Sequence, residues 1–436
     1  MVAAHEIKAA IGRHLLADGM DIIVDLEKSK GSWLIDKRNG DSYLDCFSMF
    51  ASMAVGFNHD GILAVADRLG RIAVNKPANS DAYSEPMAEF VETFARHAMP
   101  AYLPHVFFIE GGALAVENAL KAAFDWKVKK NFDRGVKKEL GHKIIHFRQA
   151  FHGRSGYTLS LTNTADPRKT QYFPKFSWPR IINPKLTFPL TSENLAAVAA
   201  VEKEALADIL DHLDREGEDI AGLIIEPIQG EGGDNHFRPE FFRALRQICD
   251  EHEILFILDE VQTGVGLTGR FWAHEHYGIV PDLVSFGKKT QVCGVLGSRR
   301  LDEIEDNVFT EPSRINSTFG GNLVDMVRCS VMLKIIHQEQ LVDNARTRGA
   351  ELLQGLEELA LEFPEIIGNA RGLGLMCAFD LKDTEKRNAF RSKLYAEKLL
   401  VVGCGDRSIR FRPHLIITRE EVGMILGILR NAVRAL

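Results

Sequence analysis

Two hydrophobic rhythms alternate along most of this chain. Short, near-continuously apolar runs recur at His105-Val106-Phe107-Phe108-Ile109, Lys143-Ile144-Ile145-His146-Phe147, Ala221-Gly222-Leu223-Ile224-Ile225, Ile254-Leu255-Phe256-Ile257-Leu258 and Leu283-Val284-Ser285-Phe286, and these predict strands buried on both faces. Helical spacing follows the first run, with Val116, Leu120 and Ala123 on one face of a helix from Ala113, and returns near 239–252. Strand and helix in alternation predict an α/β fold: a mainly parallel central sheet with helices on both faces. Upstream, Trp33-Leu34-Ile35-Asp36 and Tyr43-Leu44-Asp45-Cys46 flank the turn Arg38-Asn39-Gly40-Asp41, the pattern of a short meander. Downstream, helices near 322–337 and 340–361 lead to mixed short elements, including Leu375–Asp380 and Ile409–Phe411. The pattern divides the chain near residue 325. Residues 61–325 read as the large domain and 326–436 as a smaller α+β domain, to which an N-terminal segment, 1–60, contributes.

At 436 residues the chain exceeds one average domain, which suits that division. Hydrophobic content of 45% and charged content of 26% are those of a soluble globular protein. A net charge of −7 argues against nucleic acid or an anionic membrane as partner, and no apolar run approaches the ~18 residues of a membrane span. The first residues lack a secretory pattern. Six cysteines lie far apart and never as C-x-x-C, so the expectation is a cytoplasmic protein with no metal site and with its cysteines buried as small apolar residues.

Candidate chemistry collects at the strand ends. Asp259 closes one apolar run and Lys288 follows another. An aspartate and a lysine so placed suit pyridoxal 5′-phosphate (PLP): the lysine forms a Schiff base with the aldehyde, and the aspartate keeps the pyridine nitrogen protonated. Taken alone, each run reads as an ordinary strand with a polar end. Gly111-Gly112-Ala113, between a strand and a helix, offers backbone N–H groups to a phosphate, although by itself it is a plain tight turn. In Phe151-His152-Gly153-Arg154 the aromatic ring can stack on a pyridine and Arg154 can bind a carboxylate; in isolation they read as a core phenylalanine and a surface arginine. Glu226 reads as a strand-end ion-pair partner, and Glu231, on a glycine-rich bend, faces an open site. Ser317 or Thr318 can cap the helix that follows. Arg410 and Arg412 alternate onto one strand face, which by itself suggests a solvated face.

Read together, these motifs resemble the ornithine/GABA-type (class III) aminotransferases of PLP fold type I along almost the whole chain, and within them the lysine ε-aminotransferase branch. The runs that carry the resemblance are Gly111 through Lys127, Phe151 through Tyr157, Phe286 through Gly294, and Arg410 through Leu415. The resemblance implies Lys288 as the Schiff-base lysine, with Lys289 as the second candidate. It implies Asp259 on the pyridine nitrogen, Gln262 on the ring hydroxyl, and Phe151 and Val261 on either face of the ring. Gly112 and Ala113 would supply phosphate-binding amides, and Thr318 would reach the phosphate of the partner in a homodimer. Arg154, Glu231 and Arg410 would handle substrate carboxylates.

The activity so implied is ping-pong transfer of the ε-amino group of L-lysine to 2-oxoglutarate. It would give glutamate and 2-aminoadipate 6-semialdehyde, which cyclises to piperideine-6-carboxylate. Ornithine or 4-aminobutyrate is the alternative amine donor. A Glu231–Arg410 ion pair, closed for lysine and opened for 2-oxoglutarate, would keep lysine's α-carboxylate away from Arg410. The chain departs from the commoner family pattern at Gly112-Ala113-Leu114, where many relatives carry a hydroxyl residue followed by Glu. It departs again at Lys288-Lys289-Thr290, in place of a lysine and a glycine-rich stretch. The intact Asp259, Lys288, Arg154 and Arg410 set argues against a scaffold that has lost catalysis. Glu231 together with Arg410 argues against a decarboxylase or racemase.

Overall fold

A computed structural model describes residues 2–435. Strands β1 (Trp33–Ile35) and β2 (Ser42–Asp45) form the expected antiparallel hairpin, with Trp33 opposite Leu44. Strands β3 (His105–Ile109), β4 (Lys143–Phe147), β5 (Arg180–Ile181), β6 (Ile220–Ile225), β7 (Leu255–Asp259), β8 (Leu283–Phe286) and β9 (Cys293–Gly297) build one seven-stranded sheet in the order β3-β9-β8-β7-β6-β4-β5. All its neighbours are parallel except around β9, which runs antiparallel to both β3 and β8. Strands β10 (Gly368–Leu373), β11 (Met376–Asp380), β13 (Val402–Cys404) and β14 (Ser408–Phe411) make a separate antiparallel sheet. Between them in sequence, β12 (Leu399–Leu400) pairs in parallel with β2, joining the N-terminal hairpin to the C-terminal region.

The apolar runs lack a polar alternation because each face of the large sheet has its own core. Phe256 and Leu258 of β7, with Leu223 and Ile225 of β6, share one core with Phe241, Phe242 and Leu245 of the helix Pro239–Glu251. Leu255, Ile257 and Ile224 belong to the other, with Val116, Leu120 and Trp126 of the helix Gly112–Asp133. Each such side chain removed from water stabilises the fold by roughly 1.5–3 kcal/mol. Strands β5 and β9 escape the sequence pattern. The first has only two residues, and the second carries Gly294 and Gly297, which weaken the strand signal. The cysteines are free and buried. Among the described residues no helix is long and apolar enough to cross a membrane.

Two buried carboxylates fix the neighbourhood of β7 and β8. Asp282 accepts the Phe256 N–H at 2.7 Å and pairs with Arg246 at 2.8 Å, so the start of β8 is tied both to β7 and to the helix above it. Glu260, directly after β7, is fully enclosed. It accepts the Ala273 N–H (2.7 Å), the His274 N–H (2.9 Å) and the His274 Nδ1–H (2.7 Å), folding residues 260–276 back beneath the strand ends. The Thr263 hydroxyl donates to it as well, at 3.2 Å, so removing that carboxylate leaves four buried donors without this partner. Glu260→Ala is therefore expected to lose about 3–5 kcal/mol of stability, read as a lowered urea unfolding midpoint against the parent chain. An unchanged midpoint would show that the loop does not depend on Glu260.

Candidate active site

The carboxyl ends of the parallel strands deliver most of the candidate residues to one cavity of 320 Å³. Its walls carry Gly112, Ala113, Phe151, His152, Arg154, Glu226, Glu231, Asp259, Val261, Gln262 and Lys288. Asp259 lies opposite Ser285 in the β7–β8 register, so the turn that follows Phe286 brings Lys288 beside it. Lys288 itself adopts a left-handed backbone, φ 44°, uncommon for a residue with a side chain and characteristic of constrained functional turns. That bend sends the two adjacent lysines to different places. Lys289 is buried and donates to the Gln262 carbonyl at 2.6 Å, whereas Lys288 lines the cavity. Burial pushes the Lys288 amine down to about 8, with Arg410 adding to the effect and Asp259 and Glu226 opposing it. A fraction of the Lys288 amine is then neutral and nucleophilic near neutral pH.

Asp259 is held rigidly. One oxygen accepts the His152 Nδ1–H at 2.8 Å and the other accepts the Val261 N–H at 3.0 Å. His152 is wholly enclosed, and its Nε2 has no partner among the described residues. This histidine was not singled out as a site residue, because nothing in a Phe-His-Gly-Arg run tells which side chain turns toward β7. Phe151 and Val261 both line the cavity and offer an aromatic and an aliphatic face to a flat ring. Gly111 has φ 95°, and a Cβ on Gly112 would meet Val261 Cγ1 at 2.8 Å. Glycine at both positions therefore lets the chain turn sharply and bring the helix N-terminus against the cavity. No side chain caps that N-terminus, so its first amides remain available to an anion.

Glu226 is not the ion-pair partner expected from its strand-end position. Its oxygens accept the Phe151 N–H (2.9 Å) and the Gly230 N–H (3.1 Å), tying together the loop that carries Phe151 and the bend that carries Glu231. Burial pushes its carboxyl up to about 7, with His152 opposing the shift and Asp259 adding to it. Beyond the bend, Glu231 Oε2 meets Arg410 Nη2 at 3.0 Å, the pair anticipated from the sequence. Its Oε1 also accepts from Lys169 Nζ at 2.5 Å, a partner the sequence did not suggest. Burial alone would raise the Glu231 carboxyl; the cations Arg410 and Lys169 together hold it below its ordinary range.

The solvated-face reading of the two arginines is overturned. Arg410 and Arg412 are 2% and 1% exposed. Arg412 pairs with the buried Asp234 and donates from Nε to Gln262 Oε1 at 3.1 Å, orienting that amide. Arg410 keeps Nε and Nη1 without partners among the described residues, two buried donors suited to a carboxylate. Arg154 is exposed on the cavity rim. Ser317 and Thr318 do not cap the following helix, Leu323–Gln338; Asn322 does, accepting the Val324 N–H at 3.0 Å. Thr318 is exposed and does not line its own chain's cavity.

Comparison with known proteins agrees with this geometry. The family profile "Aminotransferase class-III" matches residues 16–433. An L-lysine-epsilon aminotransferase of Mycobacterium tuberculosis is 50% identical over 434 residues, spanning 98% of this chain and 95% of the relative. One from Amycolatopsis lactamdurans is also 50% identical, over 96% of this chain and 93% of its own. The human mitochondrial 4-aminobutyrate aminotransferase is 33% identical over 94% of this chain and 85% of its own. A solved structure of a lysine aminotransferase from M. tuberculosis superposes with a TM-score of 0.97 at 49% identity, covering 100% of both chains. With the family profile spanning all but the ends of the chain and relatives half identical along nearly its full length, the chain belongs to the class III aminotransferases.

Proposed function

We propose that this aminotransferase moves the ε-amino group of L-lysine to 2-oxoglutarate with PLP as its cofactor. The products are glutamate and 2-aminoadipate 6-semialdehyde, which cyclises to piperideine-6-carboxylate. The observation that carries the reading is the Glu231–Arg410 pair at 3.0 Å, whose Glu231 lines the cavity together with Lys288, Asp259 and Arg154, the last without an ion-pair partner among the described residues. The 50% identity to proteins named for lysine, against 33% to one named for 4-aminobutyrate, supports lysine as the donor.

The donor set suits PLP. Gly112 and Ala113 would offer amides to its phosphate, and Phe151 and Val261 would pack against its ring. Asp259 would hold the ring nitrogen and Gln262 the ring hydroxyl. Thr318, exposed and outside its own cavity, serves the phosphate of a second copy in a homodimer. When bound, PLP supplies an aldehyde that takes up the amino group and a pyridinium that stores the electron pair released at the reacting carbon.

The chain's own residues do the rest. His152 donates to Asp259 and so keeps its carboxylate aimed. Lys288 Nζ moves the proton at the substrate's amine-bearing carbon. Lysine's α-carboxylate docks on Arg154 while Glu231 occupies Arg410. The second carboxylate of 2-oxoglutarate, beside its reacting carbon, takes Arg410 once Glu231 has moved aside.

Borohydride reduction of the PLP-loaded protein is expected to leave the pyridoxyl group on the peptide carrying Lys288, found by mass spectrometry. Attachment at Lys289 would reverse the assignment, although its bond to the Gln262 carbonyl argues against it. Recombination of the PLP-free protein with PLP needs the neutral amine. Its rate, followed by absorbance, should therefore climb with pH through about 8 and level off above it; a rise continuing toward the ordinary lysine range near 10.4 would refute the lowered Lys288 pKa. The substrate is tested by single turnover of the loaded protein with lysine, ornithine or 4-aminobutyrate and no keto acid. Lysine should convert the cofactor fastest and yield the six-position semialdehyde. In the same assay Glu231→Ala should retain the glutamate reaction and lose about tenfold in its preference for lysine's ε-amine, ~1.4 kcal/mol in the barrier. An unchanged preference would remove Glu231 from substrate selection.

A further inference from the structure

Glu231 has two cations, and the reading above uses only one. Lys169 closes a short turn, Pro167–Lys169, and reaches Glu231 Oε1 at 2.5 Å while Arg410 holds Oε2 at 3.0 Å. The side chains of Lys169 and Glu231 are each 25% exposed, whereas that of Arg410 is 3% exposed. Glu231 therefore bridges a fully buried cation and one that reaches partly toward solvent. It also stands in a wall between two spaces. One is the site cavity; the other is a recess of 170 Å³ bordered by Lys169, Arg387 and Arg391. Neither Arg387 nor Arg391 is ion-paired among the described residues, and Asp166, the other acid in that recess, is taken by Arg168.

A carboxylate leaving a buried arginine must find another cation or bear the cost of an unpaired charge in a partly dry place. Glu231 needs no search, because its second oxygen is already seated. Rotating away from Arg410 keeps the bond to Lys169 and carries the charge toward a recess with two further guanidinium groups. With Lys169 gone, Arg410 would be the sole partner of Glu231, and the pair would open less readily.

We propose that Lys169 is a positioning residue that lets Glu231 release Arg410, and so sets how readily the site accepts a substrate with a carboxylate beside its reacting carbon. The proposal rests on the reading of Arg410 as the seat of that carboxylate. Lys169 touches neither substrate nor cofactor in this role; it acts through Glu231.

Calorimetric titration of the PLP-loaded protein with glutarate and with pentanoate separates the two carboxylate seats without turnover. Glutarate needs Arg154 and Arg410, and pentanoate needs Arg154 alone. Lys169→Gln should weaken glutarate about tenfold and pentanoate less than twofold, and Lys169→Arg should restore glutarate. In half-reactions, Lys169→Gln should raise KM for glutamate by a similar factor and change that for lysine far less. The decisive comparison is made in a Glu231→Gln background, where adding Lys169→Gln should weaken glutarate no further, since the residue through which Lys169 acts is already neutral. A full tenfold loss in that background would show that Lys169 merely attracts the ligand, and would overturn the proposal. So would equal weakening of both ligands, or a selective loss of the lysine reaction. If the parent chain binds glutarate no tighter than pentanoate, the Arg410 reading falls and takes the proposal with it. If it binds glutarate tighter and Lys169→Gln loses nothing, the Lys169 proposal alone falls.

Discussion

Every charge buried at the carboxyl end of the central sheet must be matched, by the protein or by a ligand, and the site is organised by how that matching is done. Asp259 is matched by His152 and a backbone amide, Glu226 by two backbone amides, Asp234 by Arg412, and Glu231 by Arg410 with Lys169. The donors left unmatched nearest the cavity are informative. Among the described residues Arg410 Nε and Nη1 and His152 Nε2 lack partners, and no side chain caps the helix starting at Gly112. Two of these features, the guanidinium and the helix end, attract anions; the helix end borders the 320 Å³ cavity, and the guanidinium stands behind Glu231 in its wall. A buried donor without a partner costs stability. Its retention at a site is readily understood where a ligand completes it.

The two consecutive lysines show how backbone and electrostatics divide the work. Burial lowers the amines of both. What separates them is the left-handed turn at Lys288, which leaves Lys289 to bond the Gln262 carbonyl and steady the loop carrying Val261 and Gln262. One lysine thus becomes part of the frame, while its neighbour has no side-chain partner among the described residues and is partly neutral. The adjoining Asp259 is set by the β7–β8 register, itself fixed by Asp282 at the start of β8. A one-residue slip would turn Asp259 to the opposite face of the sheet.

The fold was largely legible because burial on both faces writes near-continuous apolar runs, and turns with glycine punctuate them. The strands His105–Ile109 and Lys143–Phe147 follow directly from that pattern. The antiparallel β9 does not, since its glycines, required where Gly294 passes the Phe107 carbonyl, erase the strand signal. At the site, Asp259 and Lys288 could be read only by taking their strand-end positions together with the other motifs, and Glu231 with Arg410 from family resemblance. His152, Arg412 and Lys169 could not. Each acts by a contact between segments far apart in sequence, His152 with Asp259, Arg412 with Asp234, Lys169 with Glu231, and no local pattern encodes such a meeting. The expected solvated face at Arg410 and Arg412 failed for the same reason: a bare alternation of arginines does not reveal the acids waiting across the fold.

If lysine and 2-oxoglutarate are the substrates, as proposed, Arg410 makes selection between them a matter of exclusion. Left bare, a guanidinium this deeply buried would draw any carboxylate that enters, including the α-carboxylate of lysine, and would bring the wrong amine to the reacting position. Occupation by Glu231 adds an opening cost only for ligands that must use Arg410, and leaves a ligand held by Arg154 alone untouched. That cost must not be so large that the dicarboxylate is shut out as well. A second cation on Glu231 is a physical means of limiting it, because the charge displaced from Arg410 never loses a partner. On this reading Glu231, Arg410 and Lys169 form one three-body balance. Its set point depends on how well Lys169 competes with Arg410 for the same carboxylate, not on the strength of either ion pair alone.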